Sequence, residues 1–333
     1  MTWRMIGNTW APELLGHHIA EGQVRHAYLI TGSDGIGKRT LALDFARALL
    51  CSEPPSEGEF CKTCRPCVLV EGMVHPDLHV VVPEAEKTGL LVDDVRDLQH
   101  KIALTPIEGD RRIVLLPDFD RATDNAANAL LKTLEEPPGK VVFLLTARDQ
   151  EGLLPTIVSR CEVIRLRSVN RETLKDALIE QGYSSDEAAL LAGVSAGLPG
   201  RALALGENKA ALEERDELLD ELIDLLSTDI AGRLAYVEPY LRTGNLQTKR
   251  DRMLLILETW LSFWRDLLIA SSGAEATRGN PDRLDDVERI MDRLSLQQVS
   301  SVIHLIQDTM NSIEMNANIR LAMENLLLKF PRV

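Results

Sequence analysis

Four cysteines stand close together in the stretch CSEPPSEGEFCKTCRPC: Cys51, Cys61, Cys64 and Cys67, spaced C-x9-C-x2-C-x2-C. Two thiolates separated by two residues can chelate one ion, and four thiolates complete a closed tetrahedral zinc site with no position left for a substrate. The expected role is therefore structural zinc. The polar, Pro/Gly/Ser-rich setting suggests a surface knob that the metal holds together. An iron–sulfur cluster is the competing reading, because C-x2-C-x2-C also opens the ferredoxin run. That run continues with x3-C-P, and here Val68, Leu69, Val70 and Glu71 follow. The fifth cysteine, Cys161, is too distant to belong to the set and is expected to pack. The opening MTWRMIGNTW lacks the basic, apolar and small-residue order of an export signal, so a cytoplasmic chain and a metal site are expected rather than disulfides.

A second cluster lies in GSDGIGKRT, Gly32 to Thr40. The phosphate-binding loop asks for Gly, four residues, Gly-Lys, then Ser or Thr. Gly32, Gly37 and Lys38 comply, Gly35 adds flexibility, and Arg39 stands where the hydroxyl belongs. In a working loop that hydroxyl holds Mg²⁺. Thr40 comes one residue late, about 100° around a helix. Asp34 sets a carboxylate in the cradle, where it repels phosphate oxygens. The strand that would end in the metal-supporting Asp and the water-orienting Glu reads RIVLLPDFDRA, with Pro117 and Asp118 in those places. Hydrolysis is not expected, and ATP binding is doubtful.

These residues need a scaffold. AYLIT (Ala27–Thr31), LHVVV (Leu78–Val82), RIVLL (Arg112–Leu116), VVFLLT (Val141–Thr146) and VIRL (Val163–Leu166) read as buried strands separated by helical stretches. Near-continuous apolar strands of this kind predict an α/β fold, with a parallel sheet covered on both faces. The first strand enters the Gly-rich loop and LALDFARALL leaves it as a helix, so backbone N–H groups converge on an anion there. Beyond about Ser168 the pattern is helical throughout, interrupted by SSGAEATRGNPD (Ser271–Asp282). At 333 residues with net charge −14, the chain predicts two or three domains and no DNA-coating surface. No apolar run reaches the roughly 18 residues of a membrane span. His17, His18, His75 and His79 lack partner ligands at metal spacing and are expected to be solvated or to cap turns. Trp260 and Trp264, one helical turn apart, are expected in a core rather than on a base-stacking platform.

The segment NALLKTLEEPPGKVVFLLTARDQEGLLPTIVSRCEVIRL (Asn128–Leu166) resembles bacterial clamp-loader subunits of DNA polymerase III, members of the AAA+ class. The resemblance runs over the whole chain, dense through Leu166 and looser to NANIRLAMENLLLKF. It implies an AAA+ P-loop domain over 1–167 carrying the zinc insert (51–67), a small helical lid over 168–207, and a helical collar over 208–333. The chain is more similar to the delta-prime branch than to the ATP-burning gamma/tau branch. Ala147 takes the place of a phosphate-sensing Thr, and Gly200 that of a sensing Arg, with Arg201 one residue late.

The resemblance further implies that the arginine of Ser159–Arg160–Cys161 is a finger that completes a neighbouring subunit's ATP site. Such a group is worth roughly 10³–10⁵ in rate. It implies gamma/tau and delta subunits as partners, with the sliding clamp and primed DNA met through the complex. The chain would then be a stationary part of the DNA-polymerising holoenzyme without ATPase activity of its own. An active clamp-loader ATPase and a zinc-bearing nucleic-acid module on a P-loop scaffold are the alternatives.

Overall fold

The computed structural model describes residues 2–81, 89–242, 244–274 and 279–333. Helix α1 (Trp10–Ala20) precedes strand β1 (Ala27–Thr31), and α2 (Lys38–Leu50) follows it. Then come α3 (Arg65–Glu71), β2 (Leu78–Val80), α4 (Val92–Ile102), β3 (Arg112–Leu116), α5 (Asp124–Glu135), β4 (Val141–Ala147), α6 (Pro155–Val158) and β5 (Glu162–Arg165). The strands form one parallel sheet in the order β2-β3-β4-β1-β5. Every residue of β1, β3 and β4 is buried, as a sheet covered on both faces requires.

Alternation along each strand divides the apolar residues between two cores. Tyr28, Ile30, Ile113, Leu115, Val142 and Leu144 share one cluster with residues of α1, α2 and α3. Ala27, Leu29, Val114, Leu116, Phe143 and Leu145 share the other with α4, α5 and α6. The expected strands all form. The second is cut to Leu78–Val80, although the Val81 N–H still bonds Leu115 O, and Val82 lies outside the described residues. The fifth begins one residue earlier than its apolar run.

Helices α7 (Arg171–Glu180), α8 (Ser185–Val194) and α9 (Pro199–Glu207) follow. After them come α10 (Lys209–Ser227), α11 (Ile230–Tyr236), α12 (Glu238–Arg242), α13 (Leu246–Ser271), α14 (Leu284–Met291), α15 (Leu296–Glu314) and α16 (Ile319–Leu328). Asn208, Asp229, Asn245, Ser295 and Asn318 each accept a first-turn N–H, which sets where five of these helices begin. The interruption expected over Ser271–Asp282 falls between α13 and α14, with residues 275–278 outside the described residues. Contacts divide the chain into two compact units, Met1–Ala177 with Gly197–Arg201, and Leu178–Ala196 with Ala202–Val333. In the second unit Trp260, Phe263 and Trp264 of α13 are fully buried among residues of α10, α15 and α16. The Trp260 indole donates to Leu218 O at 3.1 Å. These tryptophans are core residues.

Candidate functional site

Strand β1 delivers the Gly-rich loop to the start of α2. Gly35 and Gly37 hold φ of +79° and +104°, backbone that L side chains rarely adopt. Lys38 is only 7% exposed. Its ammonium donates to Gly32 O at 2.6 Å and to Asp34 Oδ1 at 3.1 Å. The loop's one phosphate-reaching cation is therefore engaged by the loop itself. Asp34 also pairs with Arg148 at 3.0 Å. Burial pushes the Asp34 carboxyl up, but the Lys38 hydrogen bond and the Lys38 and Arg148 charges outweigh it, holding the group below its usual range.

Three further elements close on the loop. The Gly200 N–H donates to Gly35 O at 2.7 Å. A Cβ on Gly35 would lie 3.1 Å from the Arg201 amide, and one on Gly37 3.3 Å from the Met5 methyl. Thus the Gly200–Arg201 segment sits on the loop through its backbone, where a sensing arginine would act through its side chain. Arg39 points out, one guanidinium nitrogen 2.8 Å from Met73 Sδ. At the end of β3, Asp118 takes a left-handed conformation and its N–H bonds Thr146 Oγ1 at 3.0 Å. Ala147 is fully buried in β4.

The four cysteines of the insert converge. All four sulfurs lie within 4.8 Å of one another, and this is the one metal-competent group of its kind found among the described residues. Cys51 Sγ is 3.7 Å from Cys61 Sγ and 3.8 Å from Cys64 Sγ. A tetrahedral zinc with bonds of about 2.3 Å sets its sulfurs about 3.8 Å apart, whereas a disulfide needs about 2.05 Å. The donor set fits zinc. The Cys61 and Cys64 backbone N–H groups donate to Cys51 Sγ at 3.4 Å and Cys61 Sγ at 3.2 Å, favouring thiolates. The Cys64 N–H is the main reason the Cys61 thiol falls to about 6, while burial drives Cys67 upward.

The insert is more than a knob. Phe60, Cys67 and Val70 are almost wholly buried and share the core of the α1–α3 face with Tyr28 and Phe45. Beneath it, Asp44 is fully buried. It accepts the Arg4 N–H at 2.8 Å and the Arg47 guanidinium at 3.3 Å, and Glu71 of α3 pairs with both arginines. This network ties α3, which carries Cys67, to the loop-bearing α2. Its sequence signal was available: Asp44 and Arg47 sit three residues apart in the otherwise apolar run Leu41–Leu50. The histidines do not join the metal set. His75 is buried rather than solvated, accepting the Asp77 N–H at 3.0 Å, and His79 meets Arg112 at 3.2 Å.

Arg160 follows α6, just before the edge strand β5. It donates to Thr156 O at 2.8 Å and pairs with Glu135 at the end of α5. This contact joins LEEPP to SRC, a link that spacing alone did not reveal. The register pairs Tyr28 with Glu162 and Thr31 with Arg165, so Arg160 precedes the start of β5, at the end of the sheet opposite the loop that follows Thr31. Cys161 packs beneath, its thiol pushed up to about 12 by burial.

A five-stranded parallel sheet in this order, with a Gly-rich loop between β1 and α2, defines an α/β protein of the P-loop class. Residues 7–170 match the family described as DNA polymerase III, delta subunit. Over nearly its whole length the chain is similar to proteins named DNA polymerase III subunit delta-prime. The delta-prime subunit of Bacillus subtilis is 29% identical over 95% of this chain and 94% of its own length. That of Pseudomonas aeruginosa is 44% identical over 46% of each chain, and that of Escherichia coli 40% over 58% of each. No helix among the described residues is long and apolar enough to cross a membrane.

Proposed function

We propose that this chain is the stationary, non-hydrolysing subunit of a cytoplasmic clamp loader and donates Arg160 in trans to a neighbouring ATPase. The observation that carries this reading is the placement of Arg160 at the opposite end of the sheet from its own loop. A guanidinium held by Thr156 O and Glu135 beyond the far end of the strands does not serve that loop, whereas an edge position is open to another subunit. The occupied Lys38, Arg39 and Pro117 support the absence of turnover in cis: Mg²⁺ has no hydroxyl or carboxylate anchor.

In this reading residues 1–167 form the ATPase-like body, 168–207 a lid and 208–333 a collar that joins gamma/tau and delta subunits. The assembly loads the sliding clamp on primed DNA. Zinc, held by Cys51, Cys61, Cys64 and Cys67, supplies a structural cross-link and no chemistry. Glu135 parks the Arg160 side chain until a neighbour's γ-phosphate competes for it.

The test is reconstitution with gamma/tau, delta and the clamp. The isolated chain should show no ATP turnover. Arg160→Ala should assemble normally, since losing a solvent-accessible ion pair costs only about 0–1 kcal/mol, yet slow hydrolysis at one interface and impair loading. Arg160→Lys should rescue little, because an ammonium lacks the planar fork. Full DNA-stimulated ATPase and loading by an assembled Arg160→Ala complex overturns the trans role.

A further inference from the structure

A cleft of about 300 Å³ opens at the loop-distal end of the sheet, where α/β proteins do not ordinarily bind ligands. The α1–β1 turn contributes Arg25 and His26, the residue before β3 is Arg111, and the α5–β4 turn contributes Lys140. No acidic residue lines it. One carboxylate lies behind: Asp110 pairs with Arg111 at 3.0 Å and with Lys140 at 3.5 Å. The Arg25 guanidinium and the His26 ring have no hydrogen bond or ion pair among the described residues. Three permanent cations thus surround a cavity with one counter-charge between them, in a chain whose net charge is −14. Asp110 offsets part of that charge, Arg25 has no counter-charge among the described residues, and the cleft keeps a net positive charge that an anion would offset.

We propose that this cleft binds a phosphoryl group. Arg25 and Lys140 stand exposed at its mouth, and Arg111 is half-buried and oriented by Asp110. Such an arrangement of forked and point-like donors suits tetrahedral oxygens, which accept from several directions at once. The four polar groups come from three separate turns, all fixed to the first residues of buried strands. The backbone positions are thereby pre-set, and only the exposed Arg25 and Lys140 side chains need ordering on binding. The phosphoryl group can belong to a free phosphate compound or to a nucleic-acid strand crossing the mouth. The inference stands apart from the role of Arg160 and from the degenerate loop.

The experiment uses the full chain with ¹³C-labelled histidine, following the His26 ring by NMR in two titrations: inorganic pyrophosphate, and a deoxyoligonucleotide lacking terminal phosphates. A saturable His26 shift with pyrophosphate assigns the site to free phosphate. A shift with the oligonucleotide alone assigns it to a strand backbone. In either case Arg25→Ala should weaken binding about tenfold, the loss of one charge-assisted donor. Arg25→Lys should recover part of it, and the double variant Arg25→Ala/Lys140→Ala should abolish the shift. For the oligonucleotide, each lost cation should lower the slope of log affinity against log salt by about one. The proposal is overturned if neither titrant moves His26, if Arg25→Ala binds as tightly as the parent with its circular dichroism unchanged, or if binding follows Lys38→Ala instead.

Discussion

Single side chains in this molecule act chiefly by filling places that would otherwise demand a partner. Lys38 neutralises Asp34, and Asp44 gathers Arg4 and Arg47. Fully buried Asp77 accepts three backbone N–H groups, from Ile107, Glu108 and Gly109, at 2.7 to 2.8 Å. Burial raises the Asp77 carboxyl, and these three donors more than reverse it, so its folded value is depressed. A depressed carboxylate contributes stability above its unfolded range and loses it as pH falls through the lower folded value. Asp77→Asn should therefore cost about 2–3 kcal/mol at neutral pH, and the deficit should shrink in acid; urea unfolding at pH 7 and pH 3 measures both. An unchanged deficit at the two pH values would remove the charge from the account. Among the thiols, Cys67→Ser should abolish zinc binding, read by elemental analysis of protein purified without chelator. Iron in the parent protein, or no metal, would contradict a zinc assignment.

Elements meet here through backbone as much as through side chains. Gly35 and Gly200 allow α9 to rest its first turn on the phosphate loop, the Gly200 N–H bonding Gly35 O. Gly35→Ala adds both a left-handed strain and a methyl 3.1 Å from the Arg201 amide. It should destabilise the sheet-bearing unit by about 2 kcal/mol, seen as a lower urea midpoint with unchanged slope. Helix α3 behaves similarly as an element: Cys67, Val70 and Glu71 bind it to α2 and to the main core. Chelation should therefore reach beyond the insert. Hydrogen exchange should accelerate in residues 52–70 and in the neighbouring turns of α2, where a surface knob would loosen alone.

At the scale of the molecule, two units each carry a core of their own, one around the sheet and one around α13. The four-cysteine set belongs to the first. Calorimetry should show unfolding that departs from a single two-state transition, with chelation lowering the component that contains the sheet. The second component, reported by the buried Trp260 and Trp264, should keep its midpoint. A single transition that moves as a whole on chelation would show that the units unfold together.

The α/β class, the five strands and the family were legible in the sequence, because each rests on local order. Apolar runs such as VVFLLT declare a strand buried on both faces, and Gly32, Gly37 and Lys38 with their flanks declare a phosphate loop. The convergence of the four cysteines was equally plain, since chelation by C-x2-C depends on spacing that the chain itself carries. Tertiary structure alone decided what those parts touch. Lys38 is engaged by Gly32 and Asp34, Arg201 lies against Gly35, and Glu135 holds Arg160. The insert proved to be part of the core through Phe60 and Val70, and His75 proved buried beside Asp77. The basic cleft went unread because Arg25, Arg111 and Lys140 are scattered along the chain and meet only where three parallel strands begin together. Periodicity and spacing report on neighbours along the chain, whereas these contacts join residues up to 166 positions apart, set by strand order and packing.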